Sequence, residues 1–242
     1  MNSDDYYSMT EDDWLASADP DEIYRFNPKI QPDRMLQFLR VRRRADKTKF
    51  GRRRLRLFAC GCCRRFWPSL SQESREAVDI AERYADGEVT KKDLGYAWRI
   101  SVRQYGRGPR TADGIAGHVV EAGAMTAAAL VPMVCYSVVA STPKQPHELW
   151  SEKFQQAAVI YDLFGNPFRT TAADAASKFA VVDSIRELAE HIYQSRQFDD
   201  LSDLATELEQ AGCTDTDLLE HCRQPQHFRG CWLVDALRGN PL

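Results

Sequence analysis

The residues most able to do chemistry in this sequence are its cysteines, and three of the seven fall within four positions. "FACGCC" places Cys60, Cys62 and Cys63 at the trailing end of an arginine-rich segment, just ahead of "RRFW". A thiolate is both a nucleophile and a metal ligand, and neighbouring cations favour it over the thiol. At 100° per residue Cys62 joins the stripe of Leu55, Phe58 and Phe66, with Cys63 at its edge. Cys60 points instead toward Arg53, Arg56, Arg64 and Trp67. Cys62 thus reads as a small core residue, whereas Cys60 keeps a reactive or ligating alternative.

A second group lies near the other end of the chain: Cys213, His221, Cys222, His227 and Cys231. Thiolate and imidazole in tetrahedral sets are what zinc selects. His227 and Cys231, four apart, could share a helix face. The spacing, C-x8-C with H-x3-C, matches no standard finger or ribbon. The metal candidates are therefore Cys213, Cys222, His227 and Cys231, with Cys60 as a contributor from the first group. The competing reading makes all of them core residues at tight helix crossings, with no cofactor expected.

The third constellation is cationic. Between Arg40 and Arg65 stand twelve Lys or Arg and one acid, Asp46, so the segment carries +11 in a chain of net charge −3. The remainder carries −14, largely from residues 1–22 and 199–220, each with eight acids and no base. Arg42, Arg43, Arg44, Arg52, Arg53, Arg54, Arg56, Arg64 and Arg65 are the candidate partner- or anion-binding residues. Such a segment can pair with an acidic protein surface, the chain's own or a partner's, or can neutralise phosphates of a nucleic acid. Aromatics for base stacking are sparse in it.

The elements that must position these residues are helical, because apolar residues recur at three and four and strand alternation is nearly absent. Thr10 with Asp13 and Thr90 with Asp93 have capping-box spacing. The prolines of "ADPDEIYRFNPKIQPD" mark a loop, after which Asp33 opens a helix carrying Met35, Leu36 and Leu39. A helix over 52–67 bears FACGCC and is stopped by Pro68. The next carries Ala77, Val78, Ala81 and Tyr84, and another repeats Leu94, Ala97, Trp98 and Ser101. "GRGPR" reads as a loop. Residues 122–143 carry no charge. Their small residues and central Pro132 predict a buried, kinked helix or helix pair rather than a membrane span. A helix over 147–164 ends at "FGNPFR", and four more follow. The expectation is an all-α fold, one compact multi-helix domain of about nine to ten short helices over 1–242. Its weakest seam falls near 141–147, and disorder is the expectation for its acidic start, 1–9.

Several of these segments resemble an uncharacterised paralogous family of planctomycete bacteria of the Gemmata type. The resemblance rests on "TEDDWLAS", "MLQFLR", "LRLFACGCCRRFW", "AVDIAERYADG", "LFGNPFRT", "LATELEQAGCTDTDLLEHCR" and "HFRGCWLVDALRGN", and residues 94–147 do not contribute. It implies a helical, intracellular bacterial protein and brings no catalytic residues with it.

No phosphate-binding loop, dinucleotide fingerprint, H-E-x-x-H or nucleophile elbow occurs. The acidic start lacks the pattern of an export signal, which sets the expectation of a cytoplasmic chain with reduced cysteines. The function expected is that of a non-enzymatic helical interaction module using its arginine-rich helix. The alternatives are a nucleic-acid binder through residues 40–65 and a zinc-stabilised helical domain.

Overall fold

The structure, a computed structural model, describes residues 8–18, 30–102, 111–141, 146–169 and 171–239. Most of the acidic start, most of the loop before Asp33, "GRGPR" and most of the seam at 141–147 lie outside these residues. So do the side chains at 102, 146–150 and 171–173. Among the described residues all regular structure is helical, as expected. These residues form thirteen α-helices and two 3-10 turns, and among them no helix is long and apolar enough to cross a membrane. Contacts divide the chain into two compact units, Met1–Ile160 and Tyr161–Leu242.

In the first unit, α1 (Glu11–Ala18) opens on the expected capping box. Thr10 N–H donates to Asp13 Oδ2 at 3.2 Å, and Asp13 N–H donates to Thr10 Oγ1 at 3.1 Å. Then come α2 (Pro32–Val41) and α3 (Lys49–Arg64). The latter starts three residues earlier than its apolar stripe predicts, because Thr48 caps it by accepting from Gly51 N–H at 2.9 Å. Next are α4 (Gln72–Ala85), α5 (Lys91–Val102), α6 (Ala112–Val119) and α7 (Ala124–Ala140). Helix α8 (Pro146–Phe164) runs on past the unit boundary.

The central element is α3, which packs against α4, α6 and α7. It is buried on more than its apolar stripe: Leu55, Leu57, Phe58, Ala59, Cys60, Cys62 and Cys63 are all inaccessible, and so are Arg54 and Arg56. The uncharged stretch forms α7, with Ala127, Ala128, Val131 and Cys135 in the core and Pro132 inside the helix. Gln156 on α8 donates to the Pro132 carbonyl at 3.0 Å. Helix α5 departs from the expected stripe. Leu94, Ala97 and Ser101 are buried, while Tyr96 and Trp98 remain 47% and 45% exposed. Small residues at 97 and 101 let the narrower stripe face the core and turn Trp98 outward.

The second unit comprises the end of α8, α9 (Thr171–Phe179), α10 (Asp183–Ser195), α11 (Leu201–Gln210), α12 (Thr216–Cys222) and α13 (Trp232–Leu237). Its core gathers Ile185, Ala189, Ile192, Leu204, Leu208, Leu218, Leu233 and Leu237. Helix α13 packs against α9, α10 and α12. Two arginines bracket the Tyr193 ring, Arg238 at 3.6 Å and Arg229 at 4.4 Å from its centroid.

Candidate metal centre

Within the second unit four side chains converge that lie far apart in sequence. Asp162 comes from the last turn of α8, His221 from α12, His227 from the following loop, and Cys231 from the N-cap position of α13. All four are buried, and their donor atoms lie within 4.8 Å of one another. Local folding explains the convergence. Gly165 adopts a left-handed φ of 64°, which turns the chain out of α8 directly after Asp162. A Cβ there would meet the Trp232 ring at 3.3 Å. That ring in turn lies 5.0 Å, centroid to centroid, from the His221 imidazole. The loop is tied to α8 by Phe228 N–H, which donates to Asp162 Oδ2 at 2.8 Å.

The remaining Asp162 oxygen, Oδ1, faces both imidazoles, at 2.7 Å from His227 Nδ1 and 3.4 Å from His221 Nε2. Cys231 Sγ lies 3.2 Å from His221 Nε2 and 3.9 Å from His227 Nδ1. Tetrahedral zinc with ordinary bond lengths would set donor–donor separations of about 3.3–3.7 Å. Of the four separations just given, three fall within about half an ångström of that range and one is a hydrogen-bond length, and all six donor pairs lie within 4.8 Å.

Burial pushes the Asp162 carboxyl up, but the charge and hydrogen bonds of His227 and His221 outweigh it and hold it at about 2. Burial, reinforced by the Asp162 charge, pushes the Cys231 thiol well above its ordinary value. The His221 imidazole is pulled down by burial against the opposing attraction of Asp162. A carboxylate only accepts, so His227 Nδ1 carries a proton toward it. The outer nitrogens, His221 Nδ1 and His227 Nε2, are buried without a hydrogen-bond partner among the described residues. Binding of a dication would move the imidazole protons to these outer positions and release the thiol proton.

No family model matches the chain, and no curated protein or solved structure matches it. Asp and Cys as anions with two neutral His would carry −2, which matches a divalent cation so that no net charge is buried.

Of the metal candidates read from sequence, the structure brings His227 and Cys231 into this cluster. Cys213 and Cys222 lie in the hydrophobic core of the same unit. Burial and the neighbouring Cys213 push Cys222 up to about 12. His221 belonged to the sequence group but not to the candidate set, and Asp162 was missed. Its signal was available: an acid between "IY" and "LF", at the end of a helix whose dipole disfavours it, must have a partner to be tolerated.

Cys60 lies in the first unit and differs from its expected environment. It is 1% exposed, and burial with the Glu82 charge pushes its thiol well up despite Arg56. Cys63 stands at C-x-x-C spacing from it, also buried and pushed up by burial. All seven cysteines are free thiols. FACGCC is helix core.

The candidate arginines divide by the side of α3 they occupy. Arg64 chelates Glu82, with Nε to Oε1 at 2.9 Å and Nη2 to Oε2 at 2.7 Å, and also pairs with Asp79. Arg53 pairs with Asp86 at 2.8 Å, and Arg65 grips Glu152 with both terminal nitrogens, at 3.1 and 2.7 Å. Arg56 donates to the carbonyls of Val119, at 2.5 Å, and Ala122, at 3.2 Å. Arg54 is buried beside them. Among the described residues, the acids that Arg53, Arg64 and Arg65 meet in these pairs are Asp79 and Glu82 of α4, Asp86 at its C-cap and Glu152 of α8. Arg42, Arg43, Arg44 and Arg52 are exposed.

Proposed function

We propose that the chain is a non-enzymatic helical interaction module whose second unit is held together by a structural zinc ion at Asp162, His221, His227 and Cys231. The observation that carries the reading is a four-donor set of neutral total charge with its cation, buried on every side. Catalytic zinc keeps one position open for water, whereas structural zinc takes four protein ligands. Hard cations such as magnesium and calcium take all-oxygen sets, and iron–sulfur clusters and copper(I) favour more sulfur. One thiolate, two imidazoles and one carboxylate suit zinc.

The kinship with the planctomycete family belongs to the same proposal. His221, His227 and Cys231 fall inside two of the segments that carry the resemblance, and Asp162 immediately precedes a third. A module of this kind would keep its ligands while varying its surface.

Cobalt(II) titration of metal-free protein tests the site. Four-coordinate binding with one thiolate predicts intense visible bands and a sulfur-to-cobalt charge-transfer band in the near ultraviolet. Cys231→Ala should abolish the charge-transfer band. Pale, six-coordinate spectra, or a charge-transfer band that survives in Cys231→Ala, would contradict the assignment.

A further inference from the structure

The arginines that α3 does not turn inward lie around the corner joining α2 and α3. Arg40, Arg42, Arg43, Arg44, Lys49 and Arg52 are all exposed. Lys47 is exposed too and pairs with Asp46, the corner's one acid, at 3.2 Å. Arg52 donates to the backbone carbonyls of Lys47, at 2.8 Å, and Asp46, at 3.4 Å, so its charge is not neutralised. Arg40, Arg42, Arg43, Arg44 and Lys49 have no acidic partner among the described residues. Seven cations in thirteen residues thus face water with one acid among them. The fold alone does not call for this, since none of them enters the core and their mutual repulsion opposes compactness.

The backbone beneath them is fixed. Arg42 N–H donates to Phe38 O at 2.8 Å, Ala45 N–H to Leu39 O at 3.1 Å, and Lys47 N–H to Arg44 O at 2.8 Å. Ala45 is buried against Gly51, where an added Cβ would lie 2.2 Å from the Ala45 carbonyl oxygen. Arg44 holds a left-handed φ of 53°. Glycine or asparagine would adopt that conformation with less strain, yet the position carries a cation.

We propose that this corner is a docking surface for the phosphodiester backbone of a nucleic acid, bound without sequence preference. Charge complementarity selects the occupant. Protein interfaces concentrate their affinity in buried aromatic or aliphatic anchors, and the only exposed large apolar residue in the corner is Val41. Phosphate backbones need the opposite: spaced cations on a fixed frame, with arginine forks for paired oxygens. Five of the seven cations are arginine. The proposal concerns the first unit alone and stands or falls independently of the metal centre.

Fluorescence anisotropy of the full chain with a labelled mixed-sequence DNA duplex of about 20 base pairs tests it across a salt series. Engagement of five to seven phosphates predicts a log–log salt slope of about −4.5 to −6.3. The exposed-residue variant R42Q/R43Q/R44Q should lose about three units of that slope while keeping the wild-type circular dichroism spectrum. R40Q/K49Q offers a second pair and should lose about two. No binding at low salt, or equal binding by both variants, would overturn the proposal. So would capture of a poly-glutamate peptide by these residues with the duplex left unbound, which would assign the corner to an acidic protein.

Discussion

Asp162 is the side chain on which the second unit's buried charge turns. Its carboxylate accepts from His227 and from Phe228 N–H, and with Cys231 it supplies the two negative charges a divalent ion needs. Asp162→Asn keeps the shape and removes one charge. Zinc affinity should then fall at least about 100-fold, since even residues that only orient ligands are worth 10–100-fold, as read by competition with a colorimetric chelator. The same assay carries a pH signature. The Cys231 thiol sits well above its ordinary pKa, so it is protonated until metal displaces the proton. Wild-type affinity should therefore rise with pH, by about tenfold per unit for one proton released. A flat profile would mean that Cys231 is not a ligand. His227 and Cys231 were legible in the sequence by their types, although the shared helix face expected of them is absent: His227 lies in a loop and Cys231 at the N-cap of α13. Asp162 was signalled only as an acid among apolar residues at a helix end, and its partners could not be named before the end of α8 is known to meet the loop after α12.

At the scale of elements, the corner between α2 and α3 is set by a close backbone approach rather than by propensity. Gly51 lies in the first turn of α3, where a methyl group would collide with the Ala45 carbonyl. Neighbouring backbone cannot move aside as a side chain can, so Gly51→Ala should destabilise the chain by about 2 kcal/mol or more. Urea denaturation would show this as a lowered midpoint with an unchanged slope. An unchanged midpoint would mean that the corner relaxes freely and its frame is not rigid. The helices themselves were largely readable: Thr10 with Asp13 and Thr90 with Asp93 make the reciprocal bonds their spacing promised. What periodicity misjudged was the width of buried faces. It placed Trp98 in a stripe that proved narrower, and it gave α3 a solvent-facing side that the acids of α4 and α8 cover instead.

At the scale of the whole molecule, the two clusters of chemistry lie in different units. In the first unit Arg53, Arg64 and Arg65 pair with acids of that unit, whereas Arg40, Arg42, Arg43, Arg44 and Arg52 stand exposed at one corner. The second, with a smaller core, relies on a buried polar cluster at its centre. An all-α architecture was legible from composition and periodicity. The residues that meet in the cluster were only half legible, since thiols at core-like spacing look alike whether they pack or ligate. The central claim is that the cluster is a metal centre, and elemental mass spectrometry on untagged, full-length protein purified without chelator tests it most directly. The account predicts about one zinc per chain in the wild type and a loss of most of it in Cys231→Ala, with Cys222→Ala retaining it. Metal-free wild-type protein that also fails to take up added zinc, or equal zinc in wild type and Cys231→Ala, would contradict it.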